Sequence, residues 1–172
     1  MDLKMTPDWN PRRAKKTLDF LLSCGLSDEV VLDIGVANEL GAYIQKHTNI
    51  GLVNTYGDLD YEIGAVRTFS TVFCFEVIEH LMNPRLFLDN LYNTTTKDVD
   101  IFLSFPARPK FLWNNESHFH EYDKLRFNML LEVTRFKIVK KKDVYIPEFK
   151  IGIRPTIRLF IPKTTIYLIK KT

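Results

Sequence analysis

Acidic residues and a histidine follow an apolar run in the segment 73–84. Glu76, Glu79 and His80 lie close together there, after residues whose apolar character predicts a strand. Carboxylate oxygens and an imidazole nitrogen form a mixed ligand set that suits several divalent metals. The same pattern arises when an acidic pair caps the next helix and the histidine packs structurally. The segment is therefore a candidate metal site or a candidate helix cap.

Two further histidines, His118 and His120, alternate along the chain. In an extended segment they would point the same way. Either of them, or His80, could remove a proton from a hydroxyl substrate, because imidazole titrates near neutral pH. A purely structural pair of histidines fits the pattern equally well. The aromatic residues nearby could line an apolar substrate pocket or fill the core: Phe111, Trp113, Phe119 and Tyr122.

A third candidate feature is the loop around Asp33 and Gly35. Glycine lets the backbone turn sharply and approach a ligand, and the helix that follows offers free N–H groups. The dinucleotide fingerprint Gly-x-Gly-x-x-Gly is absent, since Ala37 and Leu40 stand at two of its glycine positions. Asp33 would also face a pyrophosphate unfavourably, so the loop argues against a nucleotide-dependent oxidoreductase. It suits a cationic ligand, or is an ordinary strand-to-helix turn with a capping Asp.

Alternating apolar runs and helical periodicities must position these residues. They predict helices at 11–22, 39–47, 84–92 and 122–133, and strands at 29–34, 50–55, 71–76, 99–105, 136–139 and 164–169. Such alternation predicts an α/β fold with a doubly wound, mostly parallel sheet and helices on both faces. Ligands bind outside the carboxyl ends of such strands, where the candidate residues lie.

The composition predicts one globular domain over residues 1–172, with 45% hydrophobic and 26% charged residues. A net charge of +3 is too small to indicate nucleic-acid binding by itself. Two cysteines form no disulfide framework or metal motif. No apolar run reaches the ~18 residues of a membrane span, and the start does not read as a signal peptide, so a cytoplasmic protein is expected. Basic flanks around an acidic centre suit either an anionic substrate or solvated lysines.

The segment 73–84, taken with Asp33 and Gly35, resembles class I S-adenosylmethionine-dependent methyltransferases, in particular the ubiquinone-type and small-molecule branch. The segments 101–106 and 118–122 match later family motifs in the expected order, so the resemblance covers roughly residues 29–136. It implies a Rossmann-like methyltransferase fold and S-adenosylmethionine as the cofactor. In some ubiquinone-type relatives, a corresponding Glu-x-x-Glu-His binds a divalent metal.

The resemblance also implies where the cofactor lies. Asp58 or Asp60 would hold the ribose hydroxyls, and both remain open. The other implied cofactor contacts come from the Asp33 loop and the end of the third predicted strand: Asp33, Gly35, Val36, Ala37, Phe75 and Glu76.

The chain departs from the family between residues 55 and 71. That stretch is too short for the usual helix, strand and second helix, because a parallel crossover alone takes a dozen or more residues. The sheet is therefore expected to be abridged by one strand–helix unit, which removes part of the adenine pocket. Two functions stay open: methyl transfer to a small-molecule, preferentially anionic, acceptor, or a non-catalytic methyltransferase-like binding module or subunit. The stretch 147–162 is predicted to form a loop or hairpin over the site.

Overall fold

The computed structural model describes residues 10–27, 29–64, 68–107, 118–146 and 162–172. Phe111, Trp113 and nearly all of the predicted 147–162 loop lie outside these residues. Within them, no helix combines the length and the apolar character that a membrane span needs.

The described helices begin where the sequence places a capping residue. They are α1 (Pro11–Ser23), α2 (Glu39–His47), α3 (Pro84–Thr94) and α4 (Lys124–Val133), with a short 3-10 helix at Ile78–His80. The side chain before each α-helix accepts a hydrogen bond from a first-turn N–H, which satisfies a donor that the helix itself leaves unpaired. These caps are Asn10, Asn38, Asn83 and Asp123.

Within the described residues, six strands form one sheet: β1 (Val30–Asp33), β2 (Gly51–Asn54), β3 (Phe69–Phe75), β4 (Thr95–Pro106), β5 (Phe136–Val144) and β6 (Thr164–Lys171). Their order is β2-β1-β3-β4-β6-β5. The pairs β1–β2, β1–β3 and β3–β4 are parallel, and β6 is antiparallel to both of its neighbours. The prediction of an α/β fold with a mostly parallel sheet is confirmed.

Two strands, β4 and β5, extend furthest beyond their predicted bounds. β4 starts at Thr95 rather than at residue 99, and β5 continues to Val144 rather than to residue 139. Thr95 pairs with Phe69, and the end of β5 pairs with β6. The polar residues of these extensions lack a strand-like apolar pattern, so pairing with distant strands determines their conformation.

The core has two layers, one on each face of the sheet. Phe73 and Phe102 pack with buried residues of α1 and α2, whereas Cys74 and Leu103 belong to the cluster that contains α3 and α4. Successive strand residues point to opposite faces, which explains why β3 and β4 are apolar throughout. Cys74 is buried as a free thiol.

The stretch after β2 carries no further helix or strand within residues 55–64, apart from a single bridge between Tyr56 and Gly64. A Cβ on Gly64 would lie 2.5 Å from the Tyr56 carbonyl oxygen, so this close approach requires glycine. β2 is consequently an edge strand of the six-stranded sheet. This arrangement agrees with the predicted abridgement.

Candidate functional site

The sheet has a topological switch point beside β1. The chain passes from β1 to β2 on one side and then places β3 on the other side of β1. In open α/β sheets the ligand crevice lies outside the carboxyl ends of the strands at such a point. Asp33 ends β1 and Glu76 directly follows β3, so both flank this crevice.

Residues at the end of β2 form hydrogen bonds with the loop that follows β1 and hold it in place. The side-chain amide of Asn54 donates to Asp33 Oδ2 and to the Gly35 carbonyl oxygen, each at 3.1 Å. The Gly35 N–H donates to Thr55 Oγ1 at 2.8 Å. Gly35 has a φ of 98°, a conformation that favours glycine. The sequence analysis missed Asn54 and Thr55, although their position at a strand end beside Asp33 is the signal that could have identified them.

Asp33 is a buried carboxylate at this crevice, with 4% of the residue exposed. Burial raises its pKa from 3.8 to about 7, and the hydrogen bond from Asn54 opposes that rise. The hydrogen bond from Asn54 goes to Oδ2 of this carboxylate. The carboxylate is therefore placed to gain from a positively charged ligand.

The remainder of the loop is open and lies next to the end of β3. Val36 and Ala37 are exposed, and the Val77 side chain comes within 4.0 Å of the Cβ position of Gly35. Phe75, at the end of β3, is half-buried, and its ring centroid lies 5.3 Å from that of Phe73. The structure thus brings the loop residues predicted to contact the cofactor beside the strand end predicted to contact it.

Asp58 and Asp60 differ in their surroundings. Asp58 is exposed, and its Oδ1 accepts from the Asp60 N–H at 3.0 Å. Asp60 is half-buried, and its Oδ1 accepts from the Asn83 N–H at 2.7 Å, just before α3. Asp60 therefore links the loop after β2 to the start of α3, whereas Asp58 remains exposed.

Glu76 is held by three elements. Its Oε1 accepts from Ser104 Oγ of β4 at 2.8 Å and from Thr164 Oγ1 of β6 at 3.2 Å. Its Oε2 lies 3.6 Å from Nη1 of Arg13 in α1. The φ of 55° at Glu76 turns the chain out of β3. Sequence analysis found Glu76 but none of these partners, because they come from distant parts of the chain.

Glu79, His80 and His118 form a compact group. One potential ligand atom from each lies within 4.8 Å of the others, and the two imidazole rings are 4.7 Å apart in an edge-on arrangement. The predicted ligand set of Glu76, Glu79 and His80 comes together only in part, because this group contains His118 in place of Glu76. Carboxylate and imidazole donors at this spacing fit a divalent cation.

Glu79 is 2% exposed, and neither carboxylate oxygen has a hydrogen-bond partner among the described residues. Burial, followed by the charge of Glu76, raises the pKa of Glu79 to about 9, while the nearby backbone N–H of Glu79 itself and the positive charge of Arg13 oppose the rise. A buried carboxyl without partners is costly, and a bound cation would relieve that cost.

His120 lies beside this group but outside it. The backbone N–H of His120 donates to the Glu79 carbonyl oxygen at 3.1 Å, and the centroid of its ring is 5.9 Å from that of Tyr122. A cavity of about 510 Å³ adjoins His120 between the starts of α3 and α4. Its lining is aromatic, aliphatic and charged: Pro84, Phe119, His120, Glu121, Tyr122, Arg126 and Leu130. Phe119 and Tyr122 are two of the predicted pocket aromatics.

Searches of protein-family models and of curated protein sequences find no match to this chain. Solved structures do match. An S-adenosylmethionine-dependent methyltransferase from Clostridium acetobutylicum is 9% identical, with a TM-score of 0.60, over 95% of this chain and 93% of that one. One from Archaeoglobus fulgidus is 15% identical, with a TM-score of 0.62, over 92% and 94%.

A third similar structure contains ligands. It is the 1,6-didemethyltoxoflavin-N1-methyltransferase of Burkholderia thailandensis with bound 1,6-didemethyltoxoflavin and S-adenosylhomocysteine. It is 14% identical, with a TM-score of 0.61, over 93% of this chain and 78% of that one. This chain has the Rossmann-like methyltransferase fold. In that fold, the Asp33 loop and the end of β3 occupy the switch-point crevice described above.

Proposed function

We propose that this protein transfers a methyl group from S-adenosylmethionine to a small-molecule acceptor. The observation that carries the proposal is the buried Asp33 carboxylate at the switch point, beside the clamped Gly35 backbone. Such a site suits a ligand that is positively charged and lies close to the main chain. The methyltransferase-like fold supports the same assignment.

Different residues would bind different parts of the cofactor. S-adenosylmethionine supplies an activated methyl group on a good leaving group, so alignment and exclusion of water are the main tasks of the protein. Asp33 attracts the positive end of the cofactor, and Asp58 accepts hydrogen bonds from the ribose. The backbone at Gly35, Val36 and Ala37 and the side chain of Phe75 would contact the cofactor.

The cavity beside His120 is the proposed acceptor site. His120 lines it, which makes this histidine the first candidate among His80, His118 and His120 for removing a hydroxyl proton. Phe119, Tyr122 and Leu130 provide apolar contacts for the body of the acceptor. Arg126 at the cavity favours an acceptor with negative charge.

Calorimetric titration with S-adenosylhomocysteine tests the cofactor assignment. We expect micromolar binding by the wild-type protein and at least about a tenfold loss of affinity in Asp33→Ala, equivalent to about 1.4 kcal/mol. Asp19→Ala is the control, because Asp19 is exposed on α1. Circular dichroism establishes that each variant is folded. Unchanged affinity in Asp33→Ala would remove that residue from the site, and a folded wild-type protein that binds no S-adenosylhomocysteine would overturn the proposal.

Transfer of labelled methyl groups to candidate acceptors tests the catalytic part. Cofactor binding without transfer to any small molecule, anionic or neutral, would favour the non-catalytic binding module instead.

The group of Glu79, His80 and His118 supports a second proposal, a divalent cation next to the acceptor site. The observation that favours it is the buried Glu79 carboxyl without hydrogen-bond partners. A divalent cation held by these three side chains would supply Lewis-acid chemistry, since it stabilises negative charge on an acceptor oxygen.

Thermal unfolding with added Mg²⁺, Mn²⁺ or Zn²⁺ tests this cation site. At a metal concentration of 100 times Kd we expect about 2.7 kcal/mol of stabilisation, which for this size corresponds to roughly 5–10 °C in Tm. Glu79→Gln should abolish the shift, whereas His47→Ala should retain it because His47 lies on the exposed side of α2. No shift in the wild-type protein, or an equal shift in both variants, would contradict the site.

A further inference from the structure

We propose that the outer edge of β2 pairs with β2 of a second copy of this chain, antiparallel and about a two-fold axis at Val53. The two sheets would then join into one continuous sheet across a symmetric dimer. This pairing needs no cofactor, so it can be tested separately from the proposed methyl transfer.

The outer edge of β2 has unpaired backbone groups. The Gly51 N–H donates to the Glu29 carbonyl oxygen at 2.6 Å, which fixes the side of β2 that faces β1. Backbone groups alternate in direction along a strand, so Leu52 and Asn54 direct theirs away from β1. No other described residue forms a hydrogen bond with these outward N–H and C=O groups. Such groups are a template for pairing with another strand.

β2 lacks the charges, prolines and bulges that protect edge strands. Its sequence, Gly51-Leu-Val-Asn54, pairs with β1 in continuous register. By contrast, the opposite edge strand β5 carries four lysines and a register shift. Leu52 packs toward one core layer and Val53 toward the other, yet every residue of β2 is only half-buried. Apolar residues on both faces are typical of a strand inside a sheet, so β2 is built to have a second neighbour.

An antiparallel copy of β2 satisfies the outward groups by symmetry. With Val53 opposite Val53 of the partner, Leu52 of each chain lies opposite Asn54 of the other. Residues paired in this way exchange both of their N–H···O=C hydrogen bonds, so every outward group of both strands gains a partner. A two-fold axis also closes the assembly at two copies. The edge is therefore complementary to itself.

The two ends of β2 carry opposite charges. Lys46 is exposed in the last turn of α2, which leads into the start of β2. Asp58 and Glu62 are exposed in the loop that follows its end. In an antiparallel pair, the start of each β2 lies beside the end of the other, so a basic end faces an acidic one. A parallel pair would place like charges side by side, so the charges favour an antiparallel second copy.

Sedimentation equilibrium of the full chain, from low to several hundred micromolar, measures the assembly. We expect a dimer of twice the 20.2 kDa chain mass, with Kd in the micromolar range because the paired edge is short. Val53→Lys places two like charges directly opposite each other and should weaken the dimer at least about tenfold. Val53→Thr keeps the β-branched shape and should retain it. Val139→Lys is the matched control, because Val139 is exposed on β5, at the other edge.

A charge exchange separates loss of pairing from loss of folding. Val53→Glu alone should also be monomeric, whereas an equimolar mixture of Val53→Lys and Val53→Glu should form a dimer, because opposite charges then meet. Circular dichroism establishes that each variant is folded. Amide hydrogen exchange of the wild-type protein needs no variant, and it should show protection of the Leu52 and Asn54 N–H groups that increases with protein concentration.

Four results would overturn the pairing. They are a wild-type chain that stays monomeric through several hundred micromolar, a dimer that persists unchanged in folded Val53→Lys, a mixture of the two folded charge variants that stays monomeric, and exchange at Leu52 and Asn54 that does not depend on protein concentration.

Discussion

Three carboxyl groups near the ends of β1 and β3 differ in the hydrogen bonds and ion pairs that they receive from the protein. Asp33 receives one amide hydrogen bond, and Glu76 receives two hydroxyl hydrogen bonds and an ion pair. Glu79 receives no side-chain hydrogen bond from the described residues. Glu76 is thus largely satisfied by the protein itself. Asp33 and Glu79 retain oxygens that a cationic ligand or a metal ion could satisfy.

The pKa of Asp33 predicts a pH dependence of cofactor binding. Because burial raises this pKa to about 7, Asp33 is mostly neutral below pH 7 and ionised above it. Only the ionised form attracts a cation, so S-adenosylhomocysteine affinity should rise between pH 6 and pH 8, by at most about tenfold per pH unit. Calorimetric titrations across this range measure the effect, and Asp33→Asn should flatten it.

The unliganded protein should show the opposite trend. A raised folded-state pKa means that, between pH 3.8 and about 7, the folded state holds a proton that the unfolded state has released. The stability contributed by Asp33 is complete below pH 3.8 and is lost as the pH rises to about 7. Urea unfolding of the wild-type protein and of Asp33→Asn checks this sign.

For the binding prediction, the contrary outcome is an S-adenosylhomocysteine affinity that rises with pH as steeply in Asp33→Asn as in the wild-type protein. That result would assign the pH dependence of binding to another group.

The loop after β2 is hydrogen-bonded to α3. Asp60 accepts from the Asn83 N–H, and Asn90 of α3 donates to the Tyr61 carbonyl oxygen at 2.8 Å. These bonds attach the loop to α3 at its N-cap and at Asn90. Asp58 lies in the same turn but bonds only within it. The abridged stretch therefore replaces a missing strand and helix with direct contacts to α3.

This difference predicts separate effects for the two aspartates. Asp60→Ala should lower the free energy of unfolding by about 1 kcal/mol, because the Asn83 N–H loses its acceptor, with little change in S-adenosylhomocysteine affinity. Asp58→Ala should leave stability nearly unchanged and weaken S-adenosylhomocysteine. Urea unfolding and calorimetry on both variants measure the two effects. Full affinity in Asp58→Ala would assign the ribose to another residue.

At the scale of the whole molecule, the sheet has two unlike edges. One is β2, exposed by the abridgement, and the other is β5. β5 carries many of the lysines that make the last third of the chain basic: Lys137, Lys140, Lys141 and Lys142. A register shift between Ile138 and Lys140 also interrupts its pairing with β6. Charged side chains and bulges protect edge strands from pairing with other chains, which accounts for these lysines without an anionic substrate.

The antiparallel strand β6 completes the site from the far end of the chain. It lies between β4 and β5, and this position brings Thr164 to Glu76. Glu76 is therefore surrounded by residues from α1, β4 and β6, which are far apart along the chain. The whole sheet has to form before this part of the crevice exists.

Local features were predictable from the sequence because their causes are local. Apolar periodicity indicated the helices and strands, and Asp33 with Gly35 marked the loop at the end of β1. The shortness of residues 55–71 indicated the abridged sheet, since chain length alone limits what can form there.

Only the tertiary structure decided which distant residues meet. It places His118 next to Glu79 and His80. It also places the Ser104 and Thr164 hydroxyls within hydrogen-bond distance of Glu76, and Arg13 beside the same carboxylate. It also placed Asn54 beside Asp33. The spacing of residues along a strand or helix determines which way a side chain faces, but its partner depends on strand order and on the packing of helices across the sheet. For this protein those long-range contacts determine the chemistry of the site.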